Sequence, residues 1–255
     1  MIDRSLLNHG FPGSTWANLG LWIDARHYPA ACEALAERLA QHAQLQANQS
    51  VLDVGFGYGD QLLVWKQGFG VGRIRGVEID PAAIAHARCK VADYSDVTLR
   101  LGDGHFDAFS EHYDRVLALD CAYHFSQRSA FFATAYQTLV PGGRLGITDI
   151  VLAEGENSET YRWLASACGI PPENLITQDA YAQALTDQGF IHVRIVQLDE
   201  DVFRGFSRFA FRHLRSRGLR AFSKGGLQVL ITAIAAAWLC RTQHIHYVLI
   251  SAERP

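Results

Sequence analysis

The sequence predicts an α/β fold in which a largely parallel sheet carries helices on both faces. Residues 51–65 have the order of a buried strand, a glycine turn and a helix, which is typical of parallel α/β proteins. Short apolar strands then alternate with helical segments up to residue 152. Apolar residues make up 49% of the 255 positions, which is enough for a full core. We therefore expect one large α/β domain, alone or with a lid.

The first predicted strand, residues 51–54, runs into a turn that contains Gly55, Gly57 and Gly59. Glycines at such a turn bring the backbone close to a nucleotide, because a Cβ would block the ligand or forbid the backbone angles. The spacing is DxGxGxG, which differs from the GxGxxG of dinucleotide binders. Asp53, just before the glycines, would repel a pyrophosphate. It suits a ligand with a positive end, such as a sulfonium that bears an amino acid.

The second predicted strand, residues 73–79, carries Glu78 near its end. A carboxylate about 20 residues beyond the glycines can accept hydrogen bonds from both hydroxyls of a ribose. The next helix begins at Pro81 after Asp80 as its N-cap, and both residue types are favoured at these positions. We therefore expect Glu78 to contribute to nucleoside binding.

The third and fourth strands also end in acidic residues. Residues 97–101 form the third strand, and Asp103 behind it can accept a hydrogen bond from an exocyclic adenine amine. The fourth strand, residues 114–119, ends at Asp120. Because parallel strands end at the same edge of a sheet, these acids are expected near one another.

The fifth strand, residues 144–152, follows the sequence Leu-Val-Pro-Gly-Gly at residues 139–143. Proline and two glycines predict that the preceding helix stops before this strand. A final strand is predicted at residues 246–252.

The ordered motifs VLDVGFGYG, GVEID, GDG, LALD and LVPGGRLGITD together resemble a class I S-adenosylmethionine-dependent methyltransferase. The match covers about residues 50–152 and returns in the final strand. The resemblance implies a Rossmann-like sheet of seven strands whose last strand is antiparallel. It also implies S-adenosyl-L-methionine as the cofactor and S-adenosyl-L-homocysteine as its product.

The resemblance assigns roles to individual residues. The glycine loop passes under the cofactor, with Asp53 near the amino-acid end and Asp120 near the methionine moiety. Glu78 holds the ribose, Ile79 packs on adenine and Asp103 binds its amine. For Asp53 the competing role is structural, in holding the glycine turn. The implied cofactor-binding set is Asp53, Gly55, Gly57, Gly59, Glu78, Ile79, Asp103, Gly104 and Asp120.

Three candidate catalytic residues, Asp120, His124 and Asp149, fall at the carboxyl edge of the predicted sheet. Methyl transfer to a hydroxyl needs alignment with the methyl group and gains from a base. The segments around His124 and Asp149 resemble antibiotic-sugar O-methyltransferases, which implies that one of them is the base. Tyr123 stands where that group often has a second histidine, so the choice of base stays open. Structural alternatives are a helix cap for His124 and a backbone hydrogen bond for Asp149.

Segments outside the core are expected to select the substrate. Asn18 to Trp22 resembles the Asn-Leu-Gly-Tyr-Trp entry of small-molecule methyltransferases, and a helix is predicted from about residue 29 to 44. The predicted substrate-lining residues are Trp22, Tyr28, Tyr123, Trp163 and Phe206. The predicted division is a helical lid segment at 1–48, a cofactor-binding core at 49–152, and the rest of the core at 153–255 with lid insertions near 153–177 and 199–240.

The second insertion is basic and apolar. Arg204, Arg208, Arg212 and Arg215 recur at helical spacing, and no Asp or Glu occurs from residue 202 to 252. A solvated helix face, a site for an acidic substrate group and contact with an anionic membrane surface are the three interpretations. Residues 227–239 are apolar on nearly every side and too few to span a bilayer, which indicates a helix under the lid or beside an apolar pocket.

Composition excludes several other classes. A net charge of −3 argues against a general nucleic-acid binder. The N-terminus lacks the basic start and apolar run of a signal peptide. Five scattered cysteines without CxxC spacing indicate buried thiols in a reducing cytoplasm, and no metal site is expected. Peripheral membrane contact and a homodimer stay open.

We therefore expect a methyltransferase for a small, largely apolar metabolite, such as a natural product or a lipid-like compound, with oxygen as the favoured acceptor. Resemblance to tocopherol, sterol and phthiotriol-type enzymes keeps carbon or nitrogen methylation open. A cofactor-binding protein without methyl transfer, such as a cyclase, a decarboxylase or a regulator, is the third alternative.

Overall fold

The computed structural model describes residues 4–103, 111–217 and 223–255. Within these residues the strands form one seven-stranded sheet in the order β3-β2-β1-β4-β5-β7-β6. β7 is antiparallel to both of its neighbours, and the other pairs are parallel. The predicted α/β sheet with its antiparallel last strand is confirmed. The strands are β1 (Ser50–Val54), β2 (Arg73–Glu78), β3 (Val97–Leu101), β4 (Tyr113–Ala118), β5 (Leu139–Leu152), β6 (Ile191–Gln197) and β7 (Ile245–Glu253).

The helices cover both faces of the sheet. They are α1 (Arg4–Leu7), α2 (Tyr28–His42), α3 (Asp60–Leu63), α4 (Pro81–Lys90), α5 (Arg128–Thr138), α6 (Ser158–Cys168), α7 (Gln178–Asp187), α8 (Gly205–Arg217) and α9 (Lys224–Thr242). Buried side chains of α2, α4, α8 and α9 form one large core cluster with one face of the sheet. Those of α5 and α7 form a second cluster on the other face. A smaller cluster joins α6 to the ends of β5 and β7.

The fifth strand begins five residues earlier than predicted, at Leu139 instead of residue 144. Helix α5 does stop at Thr138, but the Pro-Gly-Gly segment continues as an irregular extension of β5. Its backbone finds partners there, since the Gly142 amide donates to the Arg254 carbonyl at 2.7 Å. Pairing with the C-terminal strand thus extends β5 through residues that usually end regular structure.

The sheet changes direction between β1 and β4, which are adjacent although two strands separate them in the sequence. From this point the chain builds outward, to β2 and β3 on one side and to β5 on the other. Loops that follow β1 and β4 therefore flank a crevice at the carboxyl edge, which is where open α/β sheets bind ligands. The predicted site residues follow these same strands.

The five cysteines are all free thiols. Cys32 and Cys240 are buried and Cys121 is half-buried, whereas Cys89 and Cys168 are exposed. The expectation that all five are buried is therefore wrong for two of them, both of which lie on helices with a solvent-facing side.

Candidate active site

The loop between β1 and α3 carries three glycines in the left-handed region. Their φ angles are 72° at Gly55, 58° at Gly57 and 91° at Gly59. A Cβ on Gly55 would lie 2.7 Å from the Cys121 sulfur, whereas one on Gly57 would meet no atom within 4 Å. The loop therefore packs against the turn after β4 on one side and is open at Gly57 on the other. That open backbone is where a ligand can approach closely.

Glu78, at the end of β2, is buried and bonded to three backbone amides. Its Oε2 accepts from Gly57 at 2.7 Å, and its Oε1 accepts from Ile79 at 2.8 Å and from Asp80 at 3.0 Å. A carboxylate offers about four acceptor positions, so capacity is left for a further donor. Glu78 thus fixes the glycine loop and still presents an acceptor beside it, in the place predicted for the ribose.

Next to Glu78 the edge of the sheet is apolar and exposed. Ile79 is 69% exposed, and Leu101, whose Cα pairs with Glu78 in the sheet, is exposed as well. This surface has the location and character expected of a platform for adenine. Asp103 lies two residues beyond the end of β3. Gly104, the remaining predicted residue of this group, lies outside the described residues.

Asp53 is fully buried in β1 and holds the start of the following helix. Both of its oxygens lie within 3.1 Å of the Gln61 amide nitrogen, and Trp65 Nε1 donates to Oδ2 at 2.5 Å. Burial raises the pKa of this carboxyl to about 7, against the lowering effect of the bonds from Trp65 and Gln61. These contacts favour the structural role. Contact between Asp53 and the cofactor stays a prediction.

Asp120 follows β4 with a φ of 56°, which is uncommon for a residue other than glycine. Hydrogen bonds hold it there: its amide donates to Thr148 Oγ1 at 2.7 Å, and its Oδ1 accepts from the Tyr247 hydroxyl at 2.9 Å. Burial raises the pKa of its carboxyl, and bonds from Tyr123 and Tyr247 oppose that rise. The next residue, Cys121, places its sulfur 3.1 Å from the Val54 carbonyl oxygen. The turn after β4 therefore contacts the glycine loop.

His124 lies on the short 3-10 turn Ala122–His124 with its ring exposed. Its Nδ1 lies 3.0 Å from the Gly169 carbonyl oxygen. A carbonyl only accepts, so Nδ1 carries the hydrogen and, in the neutral ring, Nε2 carries the free lone pair. This is the form that a base requires. The competing helix-cap role does not apply, because Gln127 occupies the N-cap position of α5.

Asp149 is fully buried in β5, on the face that α5 and α7 cover. Its Oδ2 accepts from Arg128 at 3.1 Å and from the Tyr181 hydroxyl at 2.9 Å, and its Oδ1 accepts from the Ile150 amide at 2.8 Å. Burial raises the pKa of its carboxyl, while the Arg128 charge lowers it. The described contacts favour a structural role for Asp149, and its role as base stays a prediction.

A chain of hydrogen bonds connects Asp149 to the turn of His124. Arg128, paired with Asp149, also donates to the Asn174 carbonyl oxygen at 2.7 Å. The Asn174 side-chain amide donates to the carbonyls of Tyr123 at 3.0 Å and Phe125 at 2.7 Å. The backbone on both sides of His124 is therefore anchored through a buried ion pair. The sequence does not predict these roles of Arg128 and Asn174, because each contacts residues that lie 21 to 51 positions away along the chain.

Comparison with known proteins agrees with this geometry. Residues 51–143 match the family model described as a methyltransferase domain. The chain is 30% identical over 219 residues to erythromycin 3''-O-methyltransferase of Saccharopolyspora erythraea, a match that covers 80% of this chain and 71% of that protein. The chain belongs to the class I S-adenosylmethionine-dependent methyltransferases.

Two further similarities cover nearly the whole methyltransferase. It is 24% identical over 247 residues to 27-O-demethylrifamycin SV methyltransferase of Amycolatopsis mediterranei, covering 92% of this chain and 89% of that one. Its fold superposes with a TM-score of 0.77 on geranyl diphosphate C-methyltransferase from Streptomyces coelicolor, at 19% identity, covering 99% of this chain and 94% of that one. That structure contains S-adenosyl-L-homocysteine. The cofactor of the methyltransferase is S-adenosyl-L-methionine, and the open backbone at Gly57 beside Glu78 fits it.

Two residues predicted to line the substrate site of the methyltransferase lie in the core. Phe206 is fully buried, and Tyr28 is 1% exposed with its hydroxyl donating to the Asn18 carbonyl at 2.6 Å. Both rings pack in the large core cluster between the N-terminal helix α2 and the insertion helix α8, and substrate contact stays a prediction for both.

The other three predicted lining residues differ in exposure. Trp22 is half-buried and stacks on Phe209 of α8, with ring centroids 4.4 Å apart. Tyr123 is half-buried and packs beside Tyr161 in the small cluster under α6. Trp163 is 67% exposed on the outer side of α6. Of these, Tyr123 lies next to the candidate base, and substrate contact stays a prediction for all three.

The N-terminal segment is tied to the glycine-loop helix by a half-buried polar cluster. Asp60 at the start of α3 accepts from the Thr15 hydroxyl at 2.5 Å and pairs with Lys90 of α4 at 2.6 Å. Lys90 also donates to Thr15 at 2.8 Å. The sequence does not predict this cluster, because its three members lie 30 to 75 residues apart. It ties Thr15 to the start of α3.

Proposed function

We propose that the protein transfers the methyl group of S-adenosylmethionine to a hydroxyl oxygen of a small, largely apolar metabolite, with His124 as the base. The observation that carries this proposal is the hydrogen bond from His124 Nδ1 to the Gly169 carbonyl. It leaves Nε2 free to take a proton. Histidine is also the side chain whose ordinary pKa suits proton transfer near neutral pH.

Each part of the site has a defined task in this reaction. The bound cofactor supplies an electrophilic methyl group on a sulfonium. The glycine loop and Glu78 orient the nucleoside, and Asp120 lies where the methionine moiety is expected. As the acceptor hydroxyl attacks in line, His124 Nε2 takes its proton and becomes imidazolium. Arg128 and Asn174 hold the turn so that the ring stays aligned.

The surroundings of His124 support an apolar acceptor. The turn borders the small cluster under α6, where Tyr123, Ile150 and Leu239 are partly buried around Tyr161. The N-terminal segment and the insertions that carry α6, α8 and α9 are proposed as the lid over this region. Such a lid excludes water, which would otherwise solvate the reacting groups and weaken the alignment that catalysis needs.

Two relatives support oxygen as the acceptor atom, since erythromycin 3''-O-methyltransferase and 27-O-demethylrifamycin SV methyltransferase both act on oxygen by their names. The similarity to the geranyl diphosphate C-methyltransferase concerns the fold alone. Carbon methylation of an alkene needs no base to begin, so a histidine in the correct tautomer favours oxygen. Nitrogen methylation and cofactor binding without methyl transfer are the remaining alternatives.

The test uses S-adenosylmethionine labelled with carbon-13 at the methyl group. The purified protein is incubated with it and a solvent extract of its source cells, and the products are separated by polarity. We expect one organic-soluble product whose labelled methyl resonance is that of a methoxy group. A labelled carbon-bound or nitrogen-bound methyl would contradict the assignment of oxygen. Cofactor binding without any labelled product, in an extract shown to contain hydroxylated metabolites, would favour the non-methylating alternative.

A further inference from the structure

The insertion helix α9 has two apolar faces, of which only one is covered. Its buried face consists of small or branched residues that pack into the large core cluster: Val229, Ala233, Ala236 and Cys240. Its opposite face carries four large apolar residues that are 39% to 58% exposed: Leu227, Ile231, Ile234 and Trp238. Because they recur every three or four residues, they form one stripe of roughly 16 Å along the helix.

This stripe is a contiguous apolar patch, unlike the single exposed apolar residues that occur on most protein surfaces. Between Lys224 and Arg241 the helix carries no charged residue, so no charged side chain interrupts the stripe. By its length and apolar composition alone, α9 could cross a membrane. However, 33% of its most apolar stretch is buried against the rest of the protein. A helix held in the core along one side cannot cross a bilayer, but its free side can lie on one.

Cations surround the apolar surface. Lys224 and Arg241 are exposed at the two ends of α9, in the positions from which long side chains reach an interface. On the adjacent helix α8, Arg208, Arg212 and Arg215 are exposed, and none of them has a carboxylate partner among the described residues. Glu200 is paired with Arg204 at 2.8 Å. Phe211 and Ile23 are exposed beside Arg208 and Arg212 in a groove along α8, which Glu200 and Asp201 also line.

We propose that the exposed faces of α8 and α9 form a docking surface for an anionic lipid bilayer, with the α9 stripe in the acyl boundary and the arginines on the head groups. Charge complementarity selects this occupant. The sequence from residue 202 to 252 has no Asp or Glu, and Glu200, one of the two acids in the groove beside α8, is already paired with Arg204. A second copy on a two-fold axis would therefore bring together two arginine rows that outnumber the acids beside them. An anionic surface attracts the same arginines.

Docking in this way would bring the enzyme to a store of apolar compounds. The stripe lies near the cluster against which Tyr123 also packs, since Trp238 lies near His244 and its neighbour Leu239 packs against that cluster. The inference is independent of the proposed methyl transfer, because it rests on exposure and charge. Its test therefore measures binding and requires no acceptor.

The experiment is cosedimentation with vesicles of phosphatidylcholine, alone or mixed with phosphatidylglycerol, at low and high salt. We expect binding to the mixed vesicles that weakens with salt, and little binding to phosphatidylcholine alone. The double variant Ile231→Gln, Ile234→Gln should lower the partition constant about tenfold or more, because it removes apolar surface that would be buried in the bilayer. Arg208→Gln with Arg212→Gln should lower it about tenfold on mixed vesicles.

The control is Ile191→Gln, which changes an equally apolar residue, 39% exposed, on the edge strand β6. It should bind vesicles like the parent. Absence of binding by the parent protein to both kinds of vesicle would overturn the proposal. So would light scattering that shows a dimer which the Ile231→Gln, Ile234→Gln variant breaks, because the stripe would then be covered by a second copy.

Discussion

The two halves of the sheet edge hold their functional groups in different ways. Around β1 and β2, Asp53 and Glu78 bind backbone or side-chain donors that lie within about 20 residues of them, and they fix the glycine loop directly. Around β4 and β5, Asp149 reaches the turn of His124 only through Arg128 and Asn174. The cofactor half is thus a local structure, and the acceptor half is assembled from distant segments.

This difference has a physical consequence. A local motif forms as soon as its strand and helix are in place, so it depends little on the insertions. The acceptor half depends on a buried ion pair and on the loop after α6. A substitution at any residue of this hydrogen-bonded chain is therefore expected to shift the backbone that positions His124. We therefore expect substitutions in the cofactor half to weaken cofactor binding, and substitutions in the acceptor half to lower turnover or stability.

The largest effect on stability is expected from Arg128→Ala. It leaves the Asp149 carboxylate buried without its cation, which costs about 3–5 kcal/mol of unfolding free energy. Urea unfolding would measure the loss. The matched control is Arg162→Ala, which removes an exposed pair with Glu159 and should change stability little. Equal effects of the two substitutions would show that the buried pair does not anchor the acceptor half.

Glu78→Ala should weaken S-adenosylmethionine binding by about 10-fold to 100-fold, because it removes the tether of Gly57 and the charge-assisted bond that we propose Glu78 makes to the ribose. Calorimetry measures the dissociation constant. The control is Asp80→Ala, two residues away, whose carboxylate caps α4 by accepting from Ala82. It should lower stability by about 1 kcal/mol and leave affinity unchanged. Unchanged affinity in Glu78→Ala would rule out its role in cofactor binding.

Asp53 should make stability depend on pH. Burial raises its pKa from 3.8 to about 7, so between these values the folded protein holds a proton that the unfolded chain releases. Stability therefore falls as the pH rises through this window, by at most about 1.4 kcal/mol per pH unit, and levels off above it. In Asp53→Asn this contribution is absent. Parallel stability curves for the variant and the parent from pH 5 to 8 would contradict the raised pKa.

A smaller effect is expected from Asn174→Ala, which removes the two bonds to the backbone around His124. Poorer alignment of His124 should raise the activation free energy by about 1–2 kcal/mol, which would lower kcat roughly 10-fold and leave cofactor affinity unchanged. Single-turnover rates with the acceptor found in the labelling experiment would measure it. A change in KM alone would indicate that the loop contacts substrate and does not position the base.

The sequence predicted the local structure of the cofactor half, namely its strands and glycine turn, because these signals are local. The strand, the glycines and Glu78 occur within 28 residues, and each residue type has a direct steric or hydrogen-bonding reason at its position. The seven-stranded sheet with its antiparallel last strand was implied by the resemblance of the ordered motifs to a known family. The irregular start of β5 was not predictable, since it depends on the Arg254 backbone more than 100 residues away.

The acceptor half was predicted only as a set of candidates. His124 was identified by residue type, but its tautomer depends on the Gly169 carbonyl, which is 45 residues away. Asp149 was predicted as a possible base, but the sequence does not show that its carboxylate pairs with Arg128, because the two residues lie 21 positions apart. Tyr28 and Phe206 were expected at the substrate because aromatic residues suit both a pocket and a core, and periodicity does not distinguish the two.

The most direct test of the proposed reaction compares His124→Asn with His192→Asn. His192 is also an exposed histidine, but it lies at the start of β6 on the opposite edge of the sheet, and asparagine tolerates its φ of 52°. With the identified acceptor, His124→Asn should lower kcat about 10²-fold to 10⁴-fold while cofactor affinity stays the same, and His192→Asn should match the parent. Full turnover by His124→Asn would contradict the assignment of His124 as the base.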